Sequence, residues 1–504
     1  MNFRAPFLIV SAVMLPATAS FADVSPQEVW NSWQTLSQSM GQTLSGRVEQ
    51  TGDTLTAHDV TISMPYLGGD FMTFSGTTPR IVFEGQNDGT VEVTLPDPTT
   101  YTTSIKGDPS SGVPPVQVRS AATFDNTTIA SGTVGNITYE ILPGTMTYVT
   151  QKQILDGVVL VPEQIVTVLG VQGTMSQETD GDTLITTADI AADAVAVDSD
   201  SSTDDIAIDM SYTIAPLNFV GKFTTSAAAM DEPLGYLKSM DGTAGYSLGR
   251  TAFEMNTSDA GRSMTFSGST RKSAVGAKMS RGVVSYLATA HETEVTVSGA
   301  GLPMPQVDFG IGEARLGVTL PLLKSDTPKP FAFKMALEEL RLPDMAWMML
   351  DPQGQMPRDP ATIRLDLSGS LMAQADLLNP QAFIDMVDAN KMPFMPLDMA
   401  LNELYISLAG ATFTGTGAAV IAKGADMFEG FPFESANASL ALNGGTTLMD
   451  TLAQIGLIPP QMSMTAKMML GMWAKPGDTP DSYSADIELN KDGALSVNGQ
   501  PLPF

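Results

Sequence analysis

The sequence predicts a mainly β protein: long antiparallel sheets or a half-barrel in two β-rich parts, with a few helices that include a C-terminal helical hairpin. Three observations predict it. Apolar and polar residues alternate with period two through much of residues 42–225, the signature of a pleated surface with one covered face. Turn signals separate those runs. Thr51-Gly52-Asp53, Asn87-Asp88-Gly89 and Asp180-Gly181-Asp182 supply the positive-φ positions that tight hairpins need. Near the C-terminus the apolar period becomes helical on both sides of Pro459-Pro460.

Composition narrows the function before any motif is considered. The 504 residues include 55 Asp+Glu against 26 Lys+Arg, a formal net charge of −29, which argues against nucleic acid as a partner because phosphate backbones are met by clustered Lys and Arg. The absence of Cys removes disulfides, thiolate catalysis and thiolate-held metals. With 2 His, a three-His metal centre cannot form. The chain is 43% hydrophobic and only 16% charged, which is too apolar for a disordered polymer.

Residues 1–22 read as a secretory signal peptide. Arg4 supplies the positive start, Phe7 to Leu15 an apolar stretch, and Ser20-Phe21-Ala22 a small-residue site with cleavage between Ala22 and Asp23. The stretch is far shorter than the roughly 20 residues needed to span a bilayer. A periplasmic protein without a transmembrane helix in its mature chain is therefore expected. Residues 23–41 form an N-terminal helix. Ser25-Pro26-Gln27-Glu28 is a capping box with Pro at the first position, and Val29, Trp33, Leu36 and Met40 follow at helical spacing, flanked by Trp30 and ended by Gly41. The helix is expected to dock on the sheet behind it.

Residues 42–225 are an acidic, Thr-rich β domain. Strict alternation puts Leu55, Ala57, Asp59, Thr61 and Ser63 on one strand face and Thr56, His58, Val60, Ile62 and Met64 on the other. Val91 to Leu95 and Ile206 to Met210 alternate likewise. Gly52-Asp53-Thr54-Leu55 is echoed by Gly181-Asp182-Thr183-Leu184, as duplicated hairpins or by chance. Residues 226–504 are a Met-rich β domain with helical inserts, holding 23 of the 31 Met. Inserts are predicted over Asp344 to Leu350 and over Asn379 to Asn390. The helical hairpin comprises Thr447 to Ile455, with Leu448, Leu452 and Ile455 on one face, and a second helix from Pro459-Pro460 that carries Met464, Met468 and Met472 beside Met469 and Trp473. A strand pair around Lys491-Asp492-Gly493 closes the chain.

Four segments of the second half carry a resemblance. They are Ser325 to Phe331, Met356 to Thr362, Gly445 to Gly477 and Val497 to Gln500. Together they resemble the exported alphaproteobacterial proteins grouped as domain-of-unknown-function family 2125, closely over about 300–504 and more loosely over 23–300. The resemblance carries no catalytic residues. It implies a distant similarity to AsmA-like envelope proteins, whose larger members form long sheets with an apolar groove for lipid. That is an analogy of fold, not of site.

The candidates for chemistry are few. Gly245-Tyr246-Ser247-Leu248-Gly249 matches G-x-S-x-G, but the residues that follow alternate instead of opening the helix a nucleophile elbow requires. Asp198, Asp200, Asp204, Asp205 and Asp209 are dense enough to offer oxygen ligands but lack the EF-hand spacing, so they read as a solvated loop. His58 and His291 read as ordinary surface or core residues. No catalytic, cofactor-binding or metal-binding residue is assigned, and the protein is read as non-enzymatic. Leu452, Ile455, Met464, Met468, Met472 and Trp473 form an apolar surface with two readings, core packing or an adaptable binding face; the second helix is apolar on nearly every side except Lys467. The function expected is binding of a lipid or another apolar ligand in a β-lined groove. The alternative is a structural or interaction module with an envelope protein as partner.

Overall fold

The computed structural model describes residues 23–65, 72–105, 116–155, 158–203, 206–226, 238–259, 262–300, 302, 306–377, 386, 392–422 and 432–502. Helix α1 (Pro26–Ser39) begins as predicted. The Glu28 amide donates to Ser25 Oγ at 3.4 Å and the Ser25 amide to Glu28 Oε2 at 2.7 Å, so two otherwise orphaned donors are satisfied. Gly41, with φ of 71°, turns the chain out of the helix.

One 25-stranded antiparallel sheet carries nearly everything else. In its first part, β1 (Thr43–Thr51), β2 (Thr54–Pro65) and β3 (Met72–Gly85) form a meander. β3 then pairs with both β4 (Val91–Thr94) and β5 (Thr99–Ile105), which continue into β7 (Thr128–Thr133) and β6 (Val116–Phe124). Both of those pair with β8 (Asn136–Thr150). β9 (Gln153–Leu155) and β10 (Val158–Val161) form a separate small ribbon. β8 pairs with β11 (Glu163–Asp180), which meets β12 (Thr183–Ala192) and β13 (Ala194–Asp200) end to end.

From β14 (Ile206–Ser226) each strand pairs with the next: β15 (Asp241–Asp259), β16 (Arg262–Ser280), β17 (Val283–Gly299), β18 (Gln306–Pro321), β19 (Lys329–Leu340), β20 (Ala361–Ala373), β21 (Phe394–Leu408), β22 (Ala411–Ile421) and β23 (Phe433–Asn443). After the helical hairpin, β25 (Ser482–Leu489) adds to β23, β24 (Lys475–Pro476) and β26 (Leu495–Val497) pair with β25, and β27 (Gln500–Pro501) finishes the edge. No gap in the ladder falls at residue 225, because β14 and β15 pair from Thr224↔Asp241 to Ile206↔Asp259.

The N-terminal core forms where α1 lies on the sheet. Val29 and Trp30 are buried against Leu55, Phe83, Val91 and Val93. Trp30 and Trp33 meet the Phe83 ring edge-on at 5.9 and 5.4 Å, the arrangement aromatic quadrupoles favour. Each fully buried large apolar side chain contributes roughly 1.5–3 kcal/mol.

The structure corrects the β2 faces. Val60, not Asp59, joins Leu55 and Ala57 in the core. Asp59 has φ of 50° and the β1–β2 register shifts between Ser45 and Arg47. This bulge inserts one residue and reverses the alternation beyond it. Gly46 sits opposite, where a Cβ would meet Val60 Cγ2 at 3.0 Å. The echo of Gly52 and Gly181 is one of geometry: both open two-residue hairpin loops with φ near 60°, and both are followed by a buried leucine, Leu55 and Leu184.

Among the described residues three helices follow in the second half. They are α2 (Asp344–Leu350), α3 (Gly445–Gln454) and α4 (Pro460–Trp473). The predicted insert over Asn379 to Asn390 lies outside the described residues apart from Met386, as does the signal peptide predicted over residues 1–22.

Candidate functional site

Residues directly opposite one another in neighbouring strands share a face, so the register maps the surfaces of the sheet. One row runs Met175, Ala188, Gly221, Ala244, Ala277, Tyr286, Val318, Phe333, Leu367, Leu401, Gly417 and Ala438. The next row on that face runs Ile190, Phe219, Tyr246, Val275, Ala288, Leu316, Met335, Leu365, Leu404, Gly415 and Leu440. Neither contains a charged residue. The rows flanking them are also largely apolar, with Phe223, Met279, Val284 and Leu320 on one side and Leu217, Leu248, Leu337 and Ile363 on the other. The opposite face carries Lys334, Asp366, Arg364 and Glu403, with Lys334–Asp366 at 2.8 Å and Arg364–Glu403 at 2.8 Å.

At the usual strand spacing this apolar face is on the order of 50 Å long and 20 Å wide. That footprint, about 1,000 Å², exceeds the few hundred Å² of the largest patch on an ordinary monomer. Its cover ends early. Towards the N-terminus the first row continues through Tyr139, Ala130 and Val91 into the core beside α1, where all three are buried. From Phe219 to Leu404 no residue of either row is buried, and Tyr246, Leu316 and Tyr286 are 45%, 41% and 39% exposed. Among the described residues no helix packs over this stretch. α1 lies on β1–β3 and α3 on β22.

The predicted apolar surface of the helical hairpin divides. Leu452 and Ile455 of α3 and its C-cap pack with Leu448 on Trp347, Met356 and Ala409, so they are core. Met464, Met468 and Met472 of α4 are 71%, 63% and 59% exposed, and Trp473 is 36% exposed. Lys467, the one charge on α4, pairs with Asp450, which Ser463 Oγ also reaches at 3.1 Å. The Lys467 ammonium holds the Asp450 carboxyl below its usual range. The outer side of α4 thus presents methionines with no unpaired cation.

The remaining candidates lie within strands and at a strand seam. Ser247 lies inside β15 and accepts from Asn218 Nδ2 at 3.4 Å, with no helix behind it. His58 faces Glu49 and His291 faces Glu313, each at 3.7 Å. Neither is paired with Ser247, which opposes Asn218 and Ala274. Asp198, Asp200 and Asp209 sit at the β13–β14 seam, where Lys152 Nζ lies 2.9 Å from Asp200 and holds its carboxyl down at about 2. Asp204 and Asp205 lie outside the described residues. Among the described residues no cluster of His, Asp and Glu could hold a metal, and no helix is long and apolar enough to cross a membrane.

Sequence reading missed the apolar face itself. The alternating residues were visible, as in Tyr246 and Leu248 or Phe333 and Met335, but a strand facing a core and one facing a groove have the same period. No protein-family model matches the chain, and no curated protein matches it.

Proposed function

We propose that this is an exported, non-enzymatic envelope protein that binds an acyl lipid or a similar apolar ligand along the sheet face of β14–β21. The observation that carries the proposal is the run from Phe219 to Leu404 that no helix among the described residues covers, on a face that is sealed at its N-terminal end. Leaving such an area in water is unfavourable at about 25 cal/mol per Å², and a ligand chain relieves that cost. The signal-peptide pattern of residues 1–22 supports export to a periplasm. The resemblance to family 2125, with its distant AsmA-like relation, is in keeping with a long lipid-bearing sheet and assigns no residue a role.

The test compares the two faces of the same strands. Leu316 lies on the apolar face and Leu287 on the opposite one, at 41% and 46% exposure. A fluorescent fatty acid is expected to bind the purified protein, and Leu316→Asp to weaken it by about tenfold or more, because the ligand would bury an unpaired charge. Leu287→Asp is expected to leave binding unchanged. Absence of binding, together with absence of co-purified lipid, would sink the proposal.

A second reading, an interaction module for an envelope protein, rests on the exposed Met464, Met468 and Met472 of α4. Methionine surfaces adapt to varied apolar partners. This reading expects Met468→Lys to abolish capture of a specific protein while fatty-acid binding persists.

A further inference from the structure

Towards the other ends of the long strands, further uncharged rows cross the sheet. One runs Val197, Tyr212, Phe253, Gly268, Val295 and Phe309. The next runs Met210, Met255, Phe266, Val297 and Val307. The row that interleaves with them, on the opposite face, is acidic and polar: Asp198, Ser211, Glu254, Ser267, Thr296 and Asp308.

Strict alternation would put these apolar rows on the opposite side from those already described, because Leu248 and Thr251, Ala290 and Thr293, and Ala314 and Ile311 are each three residues apart. A bulge resolves the conflict. Glu292, between Ala290 and Thr293, has φ of 53°, as Asp59 has φ of 50° between Ala57 and Val60. The register gives the same answer independently. From Phe253 the row leads through Tyr212, Val197, Val166, Tyr148 and Ala122 to Thr99. The Thr99 hydroxyl lies 2.7 Å from that of Thr78, which opposes Val60 of the N-terminal core. The first apolar rows reach that core through Tyr139, Ala130 and Val91. Both sets of rows therefore lie on the core face.

A band of hydroxyls separates them. Thr251, Thr270 and Thr293 stand opposite one another at the border, and the hydroxyls of Thr270 and Thr293 are 3.0 Å apart. Hydroxyls lose water when hydrocarbon lies on them, so the band divides the face into two tiers. In the second tier no residue of the two apolar rows is buried, and Met210 and Phe309 are 37% and 39% exposed. Among the described residues the helices pack elsewhere, α1 on β1–β3, α3 on β22 and α4 on α3 and β24. Gly268 keeps this tier low: the Phe253 ring lies over it, where a Cβ would meet Cε1 at 2.5 Å. At the usual strand spacing the tier measures on the order of 25 Å by 15 Å. Neither row offers a cation to an anionic headgroup, and an uncharged chain is what such a surface accepts.

Resting on the proposed apolar-ligand function, we infer that this second tier, over β13–β18, is a site of its own for a hydrocarbon chain, so that one protein molecule carries at least two acyl chains, one on each side of the threonine band.

The experiment titrates the full mature chain with a long-chain saturated fatty acid and counts bound equivalents by equilibrium dialysis. At least two per chain are expected. Leu316→Asp should weaken binding to the first tier and Phe253→Asp binding to the second, each by about tenfold or more, because the ligand would bury an unpaired charge. Each change should leave the other tier's equivalents in place. Thr265→Asp, on the opposite face between Asn256 and Ser298, should alter neither. A single equivalent that Leu316→Asp removes and Phe253→Asp spares overturns the second site and leaves the proposed function standing. If all equivalents vanish with either change, the separation into two sites is overturned. No binding at all sinks both ideas. A second measurement keeps a large apolar side chain at position 253. In the Leu316→Asp background, Phe253→Trp should add emission that the same fatty acid, brominated along its chain, quenches. No quenching beyond that seen with Leu316→Asp alone overturns the second site.

Discussion

At the residue scale, the departures from simple alternation carry the most information. Asp59 with its φ of 50° shifts the inward face of β2 by one residue and brings Val60 into the core. Leu55 and Ala57 were placed correctly from the sequence, and the bulge was illegible because Asp59 alternates as well as any polar residue. Acid dependence also belongs here. Lys152 holds the Asp200 carboxyl at about 2, below an unfolded value of ~3.9. A depressed carboxylate contributes stability that is fully present above the unfolded pKa and lost as pH falls through the folded one. Asp200→Asn is therefore expected to be less stable than the unaltered protein near neutral pH, with the difference disappearing between about pH 4 and 2. Denaturant titrations at several pH values read this, and a difference that persists below pH 2 would show that another group is responsible. The effect should be modest, because the Asp200 side chain is 43% exposed and exposed pairs are screened by water.

At the element scale, the helices were the most legible parts, because their signals are local. Ser25 to Glu28, Pro343 before α2, and Pro460 at the start of α4 each mark a helix start where the structure has one. α3 is the exception, since its N-terminus is completed from far along the chain. Gly444 precedes it with φ of 70° and offers no side chain. The Asp481 carboxylate instead accepts from the Thr446 and Thr447 amides at 3.0 and 2.9 Å. A negative group there also suits the helix dipole. Asp481→Ala is expected to cost about 1–2 kcal/mol, the usual worth of a lost N-cap, read by chemical denaturation. It should also speed amide exchange in α3 while α1 keeps its protection. Unchanged exchange in α3 would mean that packing of Leu448 and Leu452 on Trp347 holds the helix without the cap.

At the scale of the whole molecule, backbone pairing is continuous and side-chain cover is not. Every strand from β14 to β23 is hydrogen-bonded along both edges, but the fully buried large side chains cluster at the α1 end, with Phe83, Leu55, Val29 and Tyr139 among them. Local opening is cheapest where few apolar contacts are buried. Without ligand, the amides of β15–β19 are expected to exchange faster than those of β2–β4 and β8. A fatty acid bound on the apolar face should slow exchange in β15–β19 selectively. Uniform protection along the sheet would argue for cover over the face that the described residues do not supply.

The sequence by itself determined the β class, the hairpin turns, the helix starts and the absence of thiol chemistry, because each follows from a residue type acting on its own backbone or from a residue type being missing. Only the tertiary structure decided which alternating residues are core and which are open. Phe83 and Phe333 are equivalent in a period-two pattern, yet one lies under Trp30 and Trp33 and the other sits in a row that nothing among the described residues covers. Burial is a property of what stands opposite a side chain. For Gln177 and Tyr139 that neighbour is a helix more than a hundred residues away in the chain, a distance no local pattern spans.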